Sequence, residues 1–131
     1  MDNVVKSHIE VTPDKIKSFT ELPLEGAFQM INLLKFKKQV ENTEMNGSQV
    51  YAQYLQAVLP FFQQSKAKII YHGKPYFNII GPDEGLEWDK ILIIEYASKQ
   101  DFMNMVTSEG YPEDLRNRAL EDSRLIVSVS K

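Results

Sequence analysis

The sequence predicts an α+β sandwich of ferredoxin-like type, a four-stranded antiparallel sheet in βαββαβ order with its helices on one face. Two observations carry this reading. Segments 26–37 and 91–94 are apolar at both alternating parities, as central strands covered on two faces must be. Helical periodicity then recurs between the strand-like runs, once after the first strand and once after the third.

The chain opens on Ile9-Glu10-Val11 and then Thr12-Pro13-Asp14, where Thr12 caps a short helix and Pro13 occupies its first turn. That helix runs to about Thr20 and docks through Ile16 and Phe19, so residues 1–25 read as a helical appendage on the domain. In 26–37, Phe28, Met30, Asn32, Leu34 and Phe36 share one face, and Ile31 and Leu33 lie on the other. Residues 38–47 are polar and aperiodic, a loop with the character of a lid.

Ser48 is expected to cap the next helix, which carries Val50, Tyr51, Tyr54, Leu55, Val58, Phe61 and Phe62 at spacings of three and four, with Pro60 kinking or ending it. A long strand over 68–80 follows, kinked around Gly73 and Pro75 and placed at a sheet edge because proline forfeits a ladder hydrogen bond. The turn at 81–85 reverses the chain into a third strand over 88–96. Ser98 with Asp101 starts a helix bearing Phe102, Met105 and Val106, which Gly110 stops. Pro112-Glu113-Asp114 restarts a helix with Leu115, Ala119 and Leu120, and 123–130 is the last strand.

Composition narrows the classes of function. The 131 residues are 43% hydrophobic and 25% charged, which fits one globular domain spanning 1–131. A net charge of -3 and a pI near 5.4, with the lysines scattered, give no basic field for nucleic acid. The first eight residues lack the apolar core of a secretory signal and no run approaches a membrane span, so a cytoplasmic protein without a membrane partner is expected. The absence of cysteine removes disulfides, thiolate nucleophiles and Fe–S ligation, and two histidines leave little for a metal site, so no metal is expected.

Helices on one face leave the other bare. Leaving about six aliphatic or aromatic side chains there in water would forfeit roughly 9–18 kcal/mol, comparable with a whole domain's net stability. A homodimer joined through the sheet faces is therefore predicted.

Asn32, an amide among apolar neighbours, admits two readings: a hydrogen-bond network that fixes register, or a ligand contact between sheet and helices. Glu95 either pairs with a base at the strand end or acts as a general base itself. His72 is expected to be exposed on the edge strand, and His8 to lie in a mobile terminus. Tyr111, Leu115, Arg118 and Asp122 share one stripe if their helix is continuous. Arg118 then either pairs with Asp122 or holds an anionic group over the sheet end.

Several segments together resemble one family: Met30-Ile31-Asn32-Leu33-Leu34-Lys35-Phe36, Tyr51-x-x-Tyr54, Gly73-Lys74, Ile80-Gly81-Pro82, the run from Trp88 to Ser98, Tyr111, and the run from Arg118 to Ser123. The chain resembles the bacterial domain-of-unknown-function family 1330, within the dimeric α+β barrel superfamily. It departs from that pattern at Ala97, where proline is frequent, and at Glu95, where a basic residue is common. The resemblance implies the ferredoxin-like fold and a dimer. Superfamily relatives include cofactor-free monooxygenases, muconolactone-type isomerases, haem-degrading enzymes and stress-induced proteins. The haem types usually carry a histidine on the second helix; 102–122 contains none, so no cofactor is expected.

Two functions follow as expectations. One is a small-molecule-binding homodimer, or a cofactor-independent oxygenase or isomerase, acting on an aromatic or largely apolar metabolite; the other is a non-catalytic structural or interaction module. The ligand-binding candidates are Asn32, Tyr51, Tyr54, Trp88, Tyr111 and Arg118, converging between sheet and helices near the 38–47 loop.

Overall fold

A computed structural model describes residues 7–130. The first helix, α1 (Pro13–Thr20), is capped by the Thr12 hydroxyl, which accepts from the Lys15 amide. Phe19 pins it to the domain, edge-on to Phe28 at 5.8 Å and to Phe102 at 5.4 Å. The segment before it is tied down rather than mobile. The His8 amide donates to Asp122 Oδ1 at 2.9 Å, and Ser123 Oγ donates to the His8 carbonyl at 2.7 Å. Residues 1–6 of the expected appendage lie outside the described part of the chain.

The first strand, β1 (Phe28–Phe36), leads through the polar loop to α2 (Gly47–Ser65). The cap of α2 is Asn46 rather than Ser48: Asn46 Oδ1 accepts from the Gln49 amide, and Gln49 Oε1 accepts from the Asn46 amide, both at 2.9 Å. Pro60 does not end the helix, which continues to Ser65. Pro60 and Gln56, whose carbonyl loses its intrahelical partner, both face solvent, where water replaces the missing bond.

Strand β2 (Lys68–Gly73) is much shorter than expected, because Pro75 cannot continue the ladder and residues 74–87 leave the sheet. Strand β3 (Lys90–Tyr96) accordingly begins two residues later than expected. Ser98 caps α3 (Lys99–Val106) through the Asp101 amide. The next helix, α4 (Glu113–Ala119), passes directly into β4 (Leu120–Ser128), so the last strand starts three residues earlier than expected. The expected stripe is thereby broken at both ends: Tyr111 precedes α4 and Asp122 lies in β4.

The strands lie in the order β2-β3-β1-β4, every neighbour antiparallel, with β1 and β3 in the centre. This is the ferredoxin-like arrangement, and the sheet is open rather than closed into a barrel. Phe28, Met30, Asn32 and Leu34 of β1 face the helices together with Leu92, Ile94 and Tyr96 of β3, and all are buried. The opposite face carries Ile31 and Leu33 between Ile91 and Ile93 on one side and Arg124 and Ile126 on the other. Ile126 is 44% exposed there and Tyr71 of β2 is 51% exposed, so the second apolar face remains open in the single chain. No helix among the described residues is long and apolar enough to cross a membrane.

Gly47 sits where three elements meet. Its amide donates to the Lys37 carbonyl at 2.7 Å, and the Lys37 amide donates to the Ala119 carbonyl at 3.0 Å, joining the start of α2 to the end of β1 and the α4–β4 junction. A Cβ at position 47 would overlap the Ala119 carbonyl oxygen and the Lys37 backbone. Gly47→Ala is therefore expected to lose about 1–3 kcal/mol in a urea melt. A variant as stable as the parent would show that this junction yields freely.

Candidate functional site

The sequence-predicted candidates differ in burial and in hydrogen-bond partners. Asn32 is 5% exposed and its Nδ2 donates to the Leu92 carbonyl at 3.1 Å, so the amide ties β1 to β3. Tyr51 and Tyr54 project from the buried side of α2 with ring centroids 5.2 Å apart. The Tyr54 hydroxyl shares a 2.7 Å hydrogen bond with the hydroxyl of Tyr111, whose ring also meets Phe61 edge-on. Tyr51, Tyr54 and Tyr111 thus come together, with Asn32 on the same helix-covered side of the sheet.

Trp88 and Arg118 do not join them. The Arg124 guanidinium lies 5.1 Å from the Trp88 ring centroid. Because Arg124 is registered opposite Leu33, this stack belongs to the open face. Arg118 pairs with Asp114 at 3.5 Å, one turn back on α4, rather than with Asp122. Asp122 instead accepts from Arg124 at 2.8 Å. Glu95 accepts from Gln29 Nε2 at 2.9 Å, an amide partner where a basic one was expected.

A cleft of about 720 Å³ opens where β1 ends and α2 begins. Four lysines line it, Lys37, Lys38, Lys74 and Lys90, together with His72 and one carboxylate, Asp89. Asp89 is already engaged: its Oδ2 accepts from the Phe36 amide at 2.8 Å, and its own amide donates to the Leu34 carbonyl at 2.7 Å. Asn46 and Ser48 bring the N-terminal turn of α2 to the same wall, adding the positive end of a long helix dipole.

Lys90 Nζ lies 2.6 Å from His72 Nε2. An ammonium can only donate, so the imidazole accepts at Nε2 and keeps its proton on Nδ1. Partial burial lowers the Lys90 pKa, and His72 is lowered by desolvation and then by the Lys90 charge. Lys90 also stands 6.0 Å from the Tyr51 ring centroid, linking the cleft to the tyrosine cluster beneath it. Sequence reasoning missed this convergence because its members are far apart in the chain. The available signal was Lys37-Lys38 after one central strand and Lys90 at the start of its antiparallel neighbour.

Burial pushes the hydroxyls of Tyr51, Tyr54 and Tyr96 well above the tyrosine range. Charge repulsion from Tyr111 and their shared hydrogen bond push Tyr54 further. A group with a raised folded pKa stabilises the fold fully below its unfolded value and loses that contribution as the pH climbs past it. Stability is therefore expected to fall above pH ~10, by up to about 1.4 kcal/mol per pH unit for each such tyrosine. Phenolate absorbance from these three residues should appear only with unfolding. Reversible ionisation of all three within an intact fold would contradict the packing described.

No family model matches the chain, and no curated protein matches it. Among solved structures, the RPA0582 protein of unknown function from Rhodopseudomonas palustris is 30% identical, over 96% of this chain and 98% of that one, with a TM-score of 0.87. The methylated form of RPA0582 aligns at 29% identity over 97% of each chain, with a TM-score of 0.88. A dabb family protein with a ferredoxin-like fold from Mesorhizobium loti is 11% identical over 82% of this chain and 99% of that one, with a TM-score of 0.48. The chain belongs to the family of the Rhodopseudomonas palustris RPA0582 protein.

Proposed function

We propose that this chain is a cytoplasmic small-molecule-binding homodimer that holds an anionic ligand in the cleft between the end of β1 and the start of α2. The observation that carries the reading is the excess of positive charge in that cleft, four lysines against one engaged carboxylate in a chain of net charge -3. Lys37, Lys38, Lys74 and Lys90 supply donors for a carboxylate or phosphate, and Phe36 supplies an apolar wall. The Phe36 ring packs on Tyr51 at 5.4 Å, and Tyr54 and Tyr111 buttress Tyr51 from behind. The ligand class this favours is an aromatic or largely apolar metabolite with one acidic end.

The Lys90–His72 pair places a proton donor and acceptor beside such a ligand, the kind of group a cofactor-independent isomerase or oxygenase would use. The open apolar sheet face supports the dimer. The Asn32-Leu33-Leu34-Lys35-Phe36 segment supports the finer assignment to the domain-of-unknown-function family 1330.

A second reading, a non-catalytic interaction module, is favoured by one observation. Among the described residues every fully buried side-chain nitrogen or oxygen has a hydrogen-bond partner, as the interior of a purely structural domain would.

Ligand-observed NMR with a panel of aromatic carboxylates and their uncharged amides tests the reading. Carboxylates are expected to bind, weakening with added salt, and Lys90→Ala is expected to weaken them by roughly ten-fold, the worth of a charged hydrogen bond. Lys15→Ala, on α1 away from the cleft, should leave binding unchanged. Amides that bind as well as the acids, or acids indifferent to Lys90→Ala, would contradict it.

A further inference from the structure

The most anomalous surface of the molecule is the connection between β2 and β3. In residues 74–87, Tyr76 is 92% exposed, Phe77 73%, Ile79 85% and Ile80 94%. Connections are normally polar, and four large apolar side chains this bare in one short segment mark a surface built to be covered. The segment is also ordered by its own bonds: Asn78 Nδ2 donates to the carbonyls of Pro82 at 3.1 Å and Gly85 at 3.2 Å. Those bonds hold the backbone while Phe77 and Ile79, on either side of Asn78, are presented outward.

The open face of the sheet offers a receptor of matching chemistry. A shallow groove of about 340 Å³ has Ile31, Ile70 and Ile93 as its floor and Gln29, Glu95 and Ser128 on its rim. Apolar floor and polar rim suit an aromatic side chain with a polar tip, which Tyr76 supplies. The groove lies at the end of the sheet where Lys68, Glu95, Gln29 and Ser128 stand in register. The arm leaves from the opposite end, where Gly73 is registered with Ile91. Strand β2 runs toward that end, so the arm leaves the sheet two to four β3 residues, ~7–13 Å, from its own groove.

A second copy resolves the geometry. When two such sheets pair face to face about a twofold axis lying between them and crossing the strands, the sheet ends are exchanged. That exchange brings the end of one sheet from which the arm leaves to the end of the partner sheet that holds the groove.

We infer that residues 74–87 form a preordered clasp that seats Tyr76 and Phe77 in the open-face groove of a second copy of this chain. The inference rests on the homodimer reading above and adds to it the element that locks the pair. Because Gly73 and Lys74 at the base of the arm also line the cationic cleft, the clasp ties ligand site and dimer together.

The chain has no cysteine, so introduced thiols report without background. Phe77→Cys and Ser130→Cys chains, the latter beside the groove, are mixed and oxidised under mild conditions. A mixed disulfide dimer should form much faster than either variant cross-links with itself. Separately, the Phe77→Asp/Ile80→Asp double variant, shown to be folded by an unchanged far-UV spectrum, is expected to raise the dimer dissociation constant roughly ten-fold or more. A dimeric parent without the mixed disulfide, and with the double variant dimerising as tightly, overturns the clasp alone. A parent that is monomeric throughout overturns the homodimer reading as well.

Discussion

The fold rests on the double apolarity of its two central strands. An antiparallel sheet normally reserves one face for water, yet Ile31 and Leu33 of β1 lie beside Ile91 and Ile93 of β3 on the face the helices leave free. The helix side is closed by Phe28, Leu34, Leu92 and Tyr96 against Tyr51, Val58 and Phe102, so no helix among the described residues is left to cover the second face. That imbalance leaves the second face of the sheet apolar and open, and the arm beyond β2 adds four more exposed apolar side chains, Tyr76, Phe77, Ile79 and Ile80.

The cleft follows from how the central strands end. Asp89 receives the Phe36 amide as β1 leaves the sheet, and Gly47 lets α2 begin hard against Lys37 and Ala119. These contacts bring Lys37 and Lys38 opposite Lys90, with His72 from the edge strand beside it. The positive charge collected there is thus a product of strand ends and a helix start. The buried tyrosines support the wall of the cleft rather than form it.

Much of the fold was legible in the sequence because the relevant signals are local. Two-sided apolarity placed β1 and β3 in the centre, Pro75 kept β2 at the edge, and Thr12 and Ser98 marked helix starts that the side-chain bonds bear out. The illegible parts depended on competition or distance. Ser48 and Asn46 are both good caps, and the reciprocal Gln49 decides between them. The α4–β4 junction escaped notice because Leu120 is as plausible in a helix as in a strand, and only its pairing with Phe36 selects the strand. The site was harder still: the tyrosines were visible as a helical stripe, but Trp88 and Arg118 are separated from them by the sheet and by the break before α4, and four dispersed lysines carry no linear motif.

In the proposed homodimer the second apolar face of the sheet is covered by another copy of the chain. Small-angle X-ray scattering of the unmodified protein over a dilution series tests it most directly, through the mass from the forward scattering. Twice the 15.1 kDa of one chain is expected at micromolar concentration. A mass of 15.1 kDa from a stably folded protein across the whole series would contradict it.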